Sequence, residues 1–182
     1  MTSPLAIAAT SSLAADAGAA IARAGGNAVD AAIAAMLVSI NTEPGVCSLA
    51  CGGYMTVWQP GETPITLDGY VAAPGAGTTL NDAERRSTDV YLEYGGGITT
   101  TIGPDSVGVP GGVALFGAGS KRFGLLPWKE LFMPAIDIVR RGFPLPKASY
   151  GYLVYSGKPI FGRSTDGYKA LHNDRDILRA AG

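Results

Sequence analysis

Histidine is almost missing from this chain: His172 is the only one among 182 residues. A zinc site therefore has little to draw on, because Cys47 and Cys51 are the only cysteines and no second Cys pair exists. Their four-residue spacing admits a disulfide only through a tight turn, and two small buried thiols are the expected state. A Ser/His/Asp triad would have to use His172, which lies in the polar run His172-Asn173-Asp174-Arg175, and no Gly-x-Ser-x-Gly elbow is present. A surface histidine is expected there. Nucleotide signatures are missing too. Gly117-Ala118-Gly119 runs into Ser120-Lys121-Arg122 without completing a dinucleotide fingerprint, and there is no P-loop. The carboxylates Asp68, Asp82 and Glu84 have no spacing that suggests a metal cage. The residues thus imply neither metal nor cofactor.

Charge is also scarce. Only 16% of residues are charged and the formal net charge is -1, which argues against nucleic acid or an anionic membrane as a partner. Low charge together with 26 glycines suggests that much of the chain is buried, including against a further segment. No apolar run spans a bilayer: the longest candidate, Ala28 to Ile40, is too short and carries Asp30. The first twenty residues lack a basic leader and are interrupted by Asp16, so no signal peptide is read; this leaves the location open and favours the cytoplasm slightly.

What the chain has is a tight joint, Ala24-Gly25-Gly26-Asn27-Ala28-Val29-Asp30-Ala31-Ala32. Glycine just past a helix end accepts the left-handed cap. Asn27 is a strong N-cap, and Asp30 puts negative charge in the first turn of the next helix. The spacing predicts helices over Leu13–Ala24, after Ser11-Ser12, and over Ala28 to about Asn41. The second is apolar on nearly every face and belongs inside a layered domain. Pro4 to Thr10 suits a short buried strand. Tyr54–Trp58 and Pro64–Asp68 flank the turn Gln59-Pro60-Gly61-Glu62 as a β-hairpin. Gly69 to Leu80 reads as irregular and Asn81 to Arg86 as a surface loop. Further helices are expected over Val113 to about Lys121, with Pro110 at its start, from Leu126 to Arg140 or Arg141 with Gly142 as cap, around Ala148–Tyr155, and over Asp174–Ala180. Tyr150, Tyr152 and Tyr155 read as packing residues. No repeat and no internal domain boundary is evident over residues 1–182. Taken alone, the residues describe a soluble α/β-type domain without a self-contained active site.

The ordered motifs carry more. Ser12-Leu13-Ala14 with Ala17-Gly18, the joint Gly25 to Ala32, Glu43-Pro44, Gly52-Gly53-Tyr54-Met55, Leu67-Asp68-Gly69 with Ala73-Pro74, Ser106 to Gly111, Phe123-Gly124 with Pro127-Trp128, and Gly142-Phe143-Pro144 follow one another along the chain. In this order they resemble the N-terminal part of the large subunit of γ-glutamyltranspeptidases, which are N-terminal nucleophile hydrolases made as self-cleaving precursors. The resemblance implies an α+β fold, part of a four-layer αββα sandwich. It implies a small subunit from the same precursor as partner and a small-molecule amide as substrate. It implies no cofactor or metal, and no nucleic acid or membrane. The nucleophilic threonine is expected beyond residue 182. Thr99-Thr100-Thr101 lacks the family's Thr-Thr-His context and is not that site.

Two departures bear on the substrate. Family members that bind glutamate carry an Arg-Glu pair after Leu-Asp-Gly, whereas this chain has Tyr70 and Val71. A charge-assisted contact to a carboxylate contributes about 1.5–3 kcal/mol, and a tyrosine hydroxyl cannot form the bidentate pair. Tyr70 is therefore the one substrate-binding candidate. Ala50-Cys51 also replace the first two glycines of the family's four-glycine run. Three functions follow: a γ-glutamyl transferase or hydrolase acting on glutathione or a related compound, an acylase with another substrate, or a binding piece without activity.

Overall fold

The computed structural model describes residues 5–75, 77, 86–175 and 177–179. They form two compact units: residues up to Val71 with Pro110–Phe143, and Ala72–Val109 with Pro144 onward. Among the described residues no helix is long and apolar enough to cross a membrane.

The first unit is built on helix α2, Ala28–Thr42, which has ten of its fifteen residues buried and so acts as a core element rather than a surface one. Helix α1, Ser12–Arg23, packs on it through Ala14, Ala17, Gly18 and Ile21. Ser11 caps α1 by accepting from the Ala14 N–H at 3.3 Å. The end of α1 is a Schellman turn. Gly25 sits at φ +99°, its N–H donates to the Ala22 carbonyl, and the Gly26 N–H donates to the Ile21 carbonyl at 3.0 Å. The joint then starts α2 with a capping box: the Asn27 side chain accepts from the Val29 and Asp30 N–H groups, and Asp30 accepts from the Asn27 N–H.

The core around α2 is completed by Leu115 and Phe116 of helix α3, Gly112–Phe123, by Leu131 of helix α4, Trp128–Leu131, and by Ala135 and Ile138 of helix α5, Met133–Arg141. Strands β1, Gly53–Val57, and β2, Ile65–Gly69, form the expected antiparallel hairpin, with Tyr54 opposite Asp68 and Thr56 opposite Thr66. Met55 and Leu67 turn towards the core, while Tyr54, Thr56, Thr66 and Asp68 share the exposed face.

The second unit holds a hairpin that sequence reading missed. Strand β3, Thr88–Leu92, pairs antiparallel with β4, Ile98–Ile102, and buries Val90 and Leu92. Helix α6, Lys147–Ser156, buries Leu153, Ser149 and Ser156. Tyr155 stacks on Tyr94 with ring centroids 5.2 Å apart and meets Tyr152 edge-on, as expected for packing residues. Helix α7, Thr165–Leu171, is capped by Ser164, whose hydroxyl accepts from the Gly167 N–H.

Five expectations need correction. Residues 5–10 form no strand and are largely exposed, because no described strand lies beside them to pair with. Pro110 precedes α3, whose N-cap is Gly111. The helix expected from Leu126 to Arg141 is two, divided at Phe132. Pro134 has no N–H for the Glu130 carbonyl, and its ring crowds that carbonyl. Asp174 and Arg175 form a turn and Leu178 a bridge to His172, not the helix expected over Asp174–Ala180, of which residues 176 and 180 lie outside the described residues. The Asn173 side chain accepts from the Arg175 and Ile177 N–H groups, which competes with helical bonding. His172 is only 6% exposed, not a surface residue: its ring stacks on Tyr168 at 4.0 Å and Nδ1 lies 3.0 Å from the Tyr168 carbonyl. The loop expected over Asn81 to Arg86 lies, up to residue 85, outside the described residues.

Candidate functional site

Three of the glycine motifs meet beside the β1–β2 hairpin. Gly69 ends β2 against the N-terminus of α3, so close that a Cβ on it would lie 2.5 Å from the Leu115 Cβ and 2.9 Å from the Gly111 carbonyl oxygen. The approach is mutual, since a Cβ on Gly111 would lie 2.5 Å from the Gly69 carbonyl oxygen. No side chain fits on either without moving backbone. The segment before β1 joins the same junction: the Gly112 N–H donates to the Cys51 carbonyl at 2.9 Å. Leu67-Asp68-Gly69, Cys51-Gly52-Gly53 and Pro110-Gly111-Gly112 are distant in sequence and adjacent here.

Tyr70 emerges from this junction. Its backbone N–H donates to Asp68 Oδ1 at 2.9 Å, an Asx turn that fixes where the residue leaves β2. Its side chain is 60% exposed and stacks on Tyr54, with ring centroids 5.6 Å apart and planes within 9°. Sequence reading singled out Tyr70 and missed Tyr54. The signal was in the register: Tyr54 opposes Asp68, so Tyr70, two residues on, is its diagonal neighbour on the same face. Thr56 and Thr66 are hydrogen-bonded across this face at 3.0 Å. Beside the edge of β1 that is unpaired among the described residues lies an open recess of about 280 Å³, walled by Ala32 and Met36 of α2, Leu115 and Phe116 of α3, and residues 51–56.

Two further carboxylates are buried. Asp30 is fully enclosed, and its Oδ2 accepts from the backbone N–H groups of Asn27, Leu125 and Leu126 at 3.0, 2.9 and 3.3 Å. The Asn27 side-chain amide donates to the Phe123 carbonyl at 2.6 Å. The joint therefore ties α1, α2 and the end of α3 together, which no local cap would reveal. Glu43, at the end of α2, accepts from the Thr10 hydroxyl, which in turn accepts from the Ser39 hydroxyl at 3.0 Å.

Both cysteines are free thiols, and both are half-buried rather than buried as expected. Cys47 Sγ donates to the Ser39 carbonyl at 3.4 Å. Burial pushes its thiol up to about 11, with the Glu43 carboxylate and then Cys51 adding to the shift. An unfolded thiol ionises near about 8.5. The stability this group contributes is thus present below that value and lost as pH rises towards 11. Iodoacetamide at pH 8 is expected to leave Cys47 unmodified in the folded protein and to label it after denaturation, as read by peptide mass mapping. Rapid labelling in the folded state would contradict the shift.

Among the described residues no group of three or more His, Cys, Asp or Glu side chains could hold a metal ion. Thr99, Thr100 and Thr101 lie in β4, and the Thr101 hydroxyl donates to Asp89 Oδ1 at 2.6 Å.

A family profile described as Gamma-glutamyltranspeptidase matches residues 14–180, nearly the whole chain. The chain belongs to the γ-glutamyltranspeptidase family. It corresponds to the N-terminal part of the large subunit. A glutathione hydrolase proenzyme of Pseudomonas aeruginosa is 35% identical over 150 residues, which cover 78% of this chain and 25% of that protein. An acylase ACY 1 proenzyme of Pseudomonas sp. (strain SE83) is 32% identical over 136 residues, covering 72% of this chain and 24% of the relative. Among solved structures, the γ-glutamyltranspeptidase of Pseudomonas nitroreducens complexed with L-DON superposes with a TM-score of 0.73 at 32% identity, over 92% of this chain and 48% of that one. The chain thus spans about a quarter of the length of these curated relatives. Its helices and small antiparallel sheets are an α+β fold of the γ-glutamyltranspeptidase type.

Proposed function

We propose that this chain is the large-subunit portion of an enzyme that breaks a small amide by acyl transfer, working with a small subunit from the same precursor. What supports the reading is the family match over residues 14–180, together with relatives that are named as hydrolase and acylase proenzymes. The nucleophile is the hydroxyl of a threonine freed at the start of the small subunit by self-cleavage, with its own α-amine as base. The hydroxyl adds to the substrate's amide carbonyl, and backbone N–H groups hold the oxyanion. The amine then leaves with a proton, and the ester-linked acyl group passes to water or to an amino acid. Residues 1–182 contribute scaffold and the acyl-side surface around Tyr70. No external cofactor enters these steps.

Two substrate classes follow, γ-glutamyl amides and other acyl amides. Tyr70 and Val71 at the positions of the family's Arg-Glu pair favour the second, because a neutral hydroxyl replaces a guanidinium. The test is a panel of γ-glutamyl, aliphatic acyl and aromatic acyl p-nitroanilides with the complete precursor. Release of nitroaniline from at least one class is expected. Absence of turnover across the panel would contradict the reading.

A further inference from the structure

The exposed face of the β1–β2 hairpin is aromatic and bears one charge, a negative one. Tyr54, Thr56, Thr66, Asp68 and Tyr70 lie on it. The chain has no Lys or Arg between Arg23 and Arg85, a stretch that covers all of α2 and the hairpin. A substrate carboxylate placed against Tyr70 would find no cation in this hairpin, and it would meet the Asp68 side chain that holds the Tyr70 N–H. Desolvating a carboxylate without a charged partner is costly, and a nearby like charge adds to the cost. A flat neutral group meets no such penalty.

The aromatic pair is already assembled. Its rings are parallel within 9° at 5.6 Å, and Tyr54 and Tyr70 are 62% and 60% exposed, which leaves ring surface for a third flat group. The Asx turn at Asp68 and the Gly69–Gly111 contact fix the position from which Tyr70 projects, so little ordering remains to be done on binding. We infer that Tyr54 and Tyr70 form a stacking platform that selects a planar, uncharged acyl group, making aromatic acyl amides the substrate class. This deepens, and rests on, the amide-transfer reading above.

The experiment compares complete wild-type precursor with Tyr70→Ala, Tyr54→Ala and Tyr70→Phe. Kinetics use phenylacetyl, butyryl and γ-glutamyl p-nitroanilides, and phenylacetamide binding is followed by ligand-observed NMR. Wild type is expected to prefer the phenylacetyl substrate. Each alanine variant should raise KM for that substrate about tenfold with kcat little changed, since an aromatic pair contributes up to about 1.5 kcal/mol beyond area burial. Butyryl KM should move little, and Tyr70→Phe, which keeps the ring, should behave as wild type. Phenylacetamide binding should weaken by a similar factor in the alanine variants. A wild-type preference for the γ-glutamyl substrate, or equal losses on all three substrates, would overturn the platform. The binding arm separates the two claims. Tyr70-dependent phenylacetamide binding by a protein inert towards every anilide would uphold the platform and sink amide transfer. Binding that Tyr70→Ala and Tyr54→Ala leave unchanged would sink the platform, whatever the turnover.

Discussion

Replacing Asp30 by alanine is expected to lower the stability of the first unit by about 3–5 kcal/mol, comparable with breaking a buried ion pair. The carboxylate is completely enclosed, and its Oδ2 is the acceptor for three backbone N–H groups, those of Asn27, Leu125 and Leu126. Deleting it leaves all three donors without their partner and opens a void between the start of α2 and the end of α3. A buried unsatisfied N–H costs about 1–3 kcal/mol, and partial relaxation keeps the sum below three full penalties. Asp30→Asn keeps one acceptor oxygen of the same shape and should cost about 1–2 kcal/mol, because a neutral acceptor is weaker. The check is urea unfolding of the complete precursor followed by tryptophan fluorescence, with Trp128 of α4 as a reporter in this unit. Asp30→Ala should show a lower midpoint than Asp30→Asn, and Asp30→Asn a lower midpoint than wild type. Equal midpoints for Asp30→Ala and wild type would contradict a stabilising role for the buried carboxylate.

That prediction also marks how far the sequence could be read. The joint Gly25-Gly26-Asn27 and the charge at Asp30 were legible as local chemistry, because caps act within one turn. The bonds from Asp30 to Leu125 and Leu126 cross some ninety-five residues, and no periodicity encodes them. The hairpin around Gln59–Glu62 was legible from turn residues between β-rich runs. The β3–β4 hairpin carries the same signal, with Gly95-Gly96-Gly97 between Thr88–Leu92 and Ile98–Ile102. Residues 5–10 looked like a buried strand from their apolar composition, but strand formation needs a neighbour that composition cannot supply. His172 has polar neighbours in sequence, which point to the surface. Its burial depends on Tyr168, one helical turn earlier, under its ring. At the candidate site, Tyr70 was visible as a departure from the family pattern. Tyr54 became visible only when the register set the two rings on one face.

The largest expected effect on activity lies in precursor processing. If the nucleophile is the threonine that begins the small subunit, its hydroxyl serves both self-cleavage and substrate attack. Substituting that threonine by alanine is expected to leave the precursor uncut and to abolish amide turnover together. Serine at the same place retains a hydroxyl and should restore slow cleavage and some turnover. Variants in the Tyr54–Tyr70 pair, by contrast, should process normally, because they act on the acyl group of an external substrate and not on the scissile bond of the precursor. Loss of processing in Tyr70→Ala with its folding intact would place that residue in the self-cleavage step instead.

The most direct measurement is therefore the intact mass, with N-terminal sequencing, of the mature protein made from the complete precursor. The expected result is two chains whose masses sum to that of the precursor plus the one water taken up on cleavage, the larger containing residues 14–180 and the smaller beginning with threonine. A single uncut chain, or a smaller chain whose first residue bears no hydroxyl or thiol, would contradict the N-terminal nucleophile mechanism.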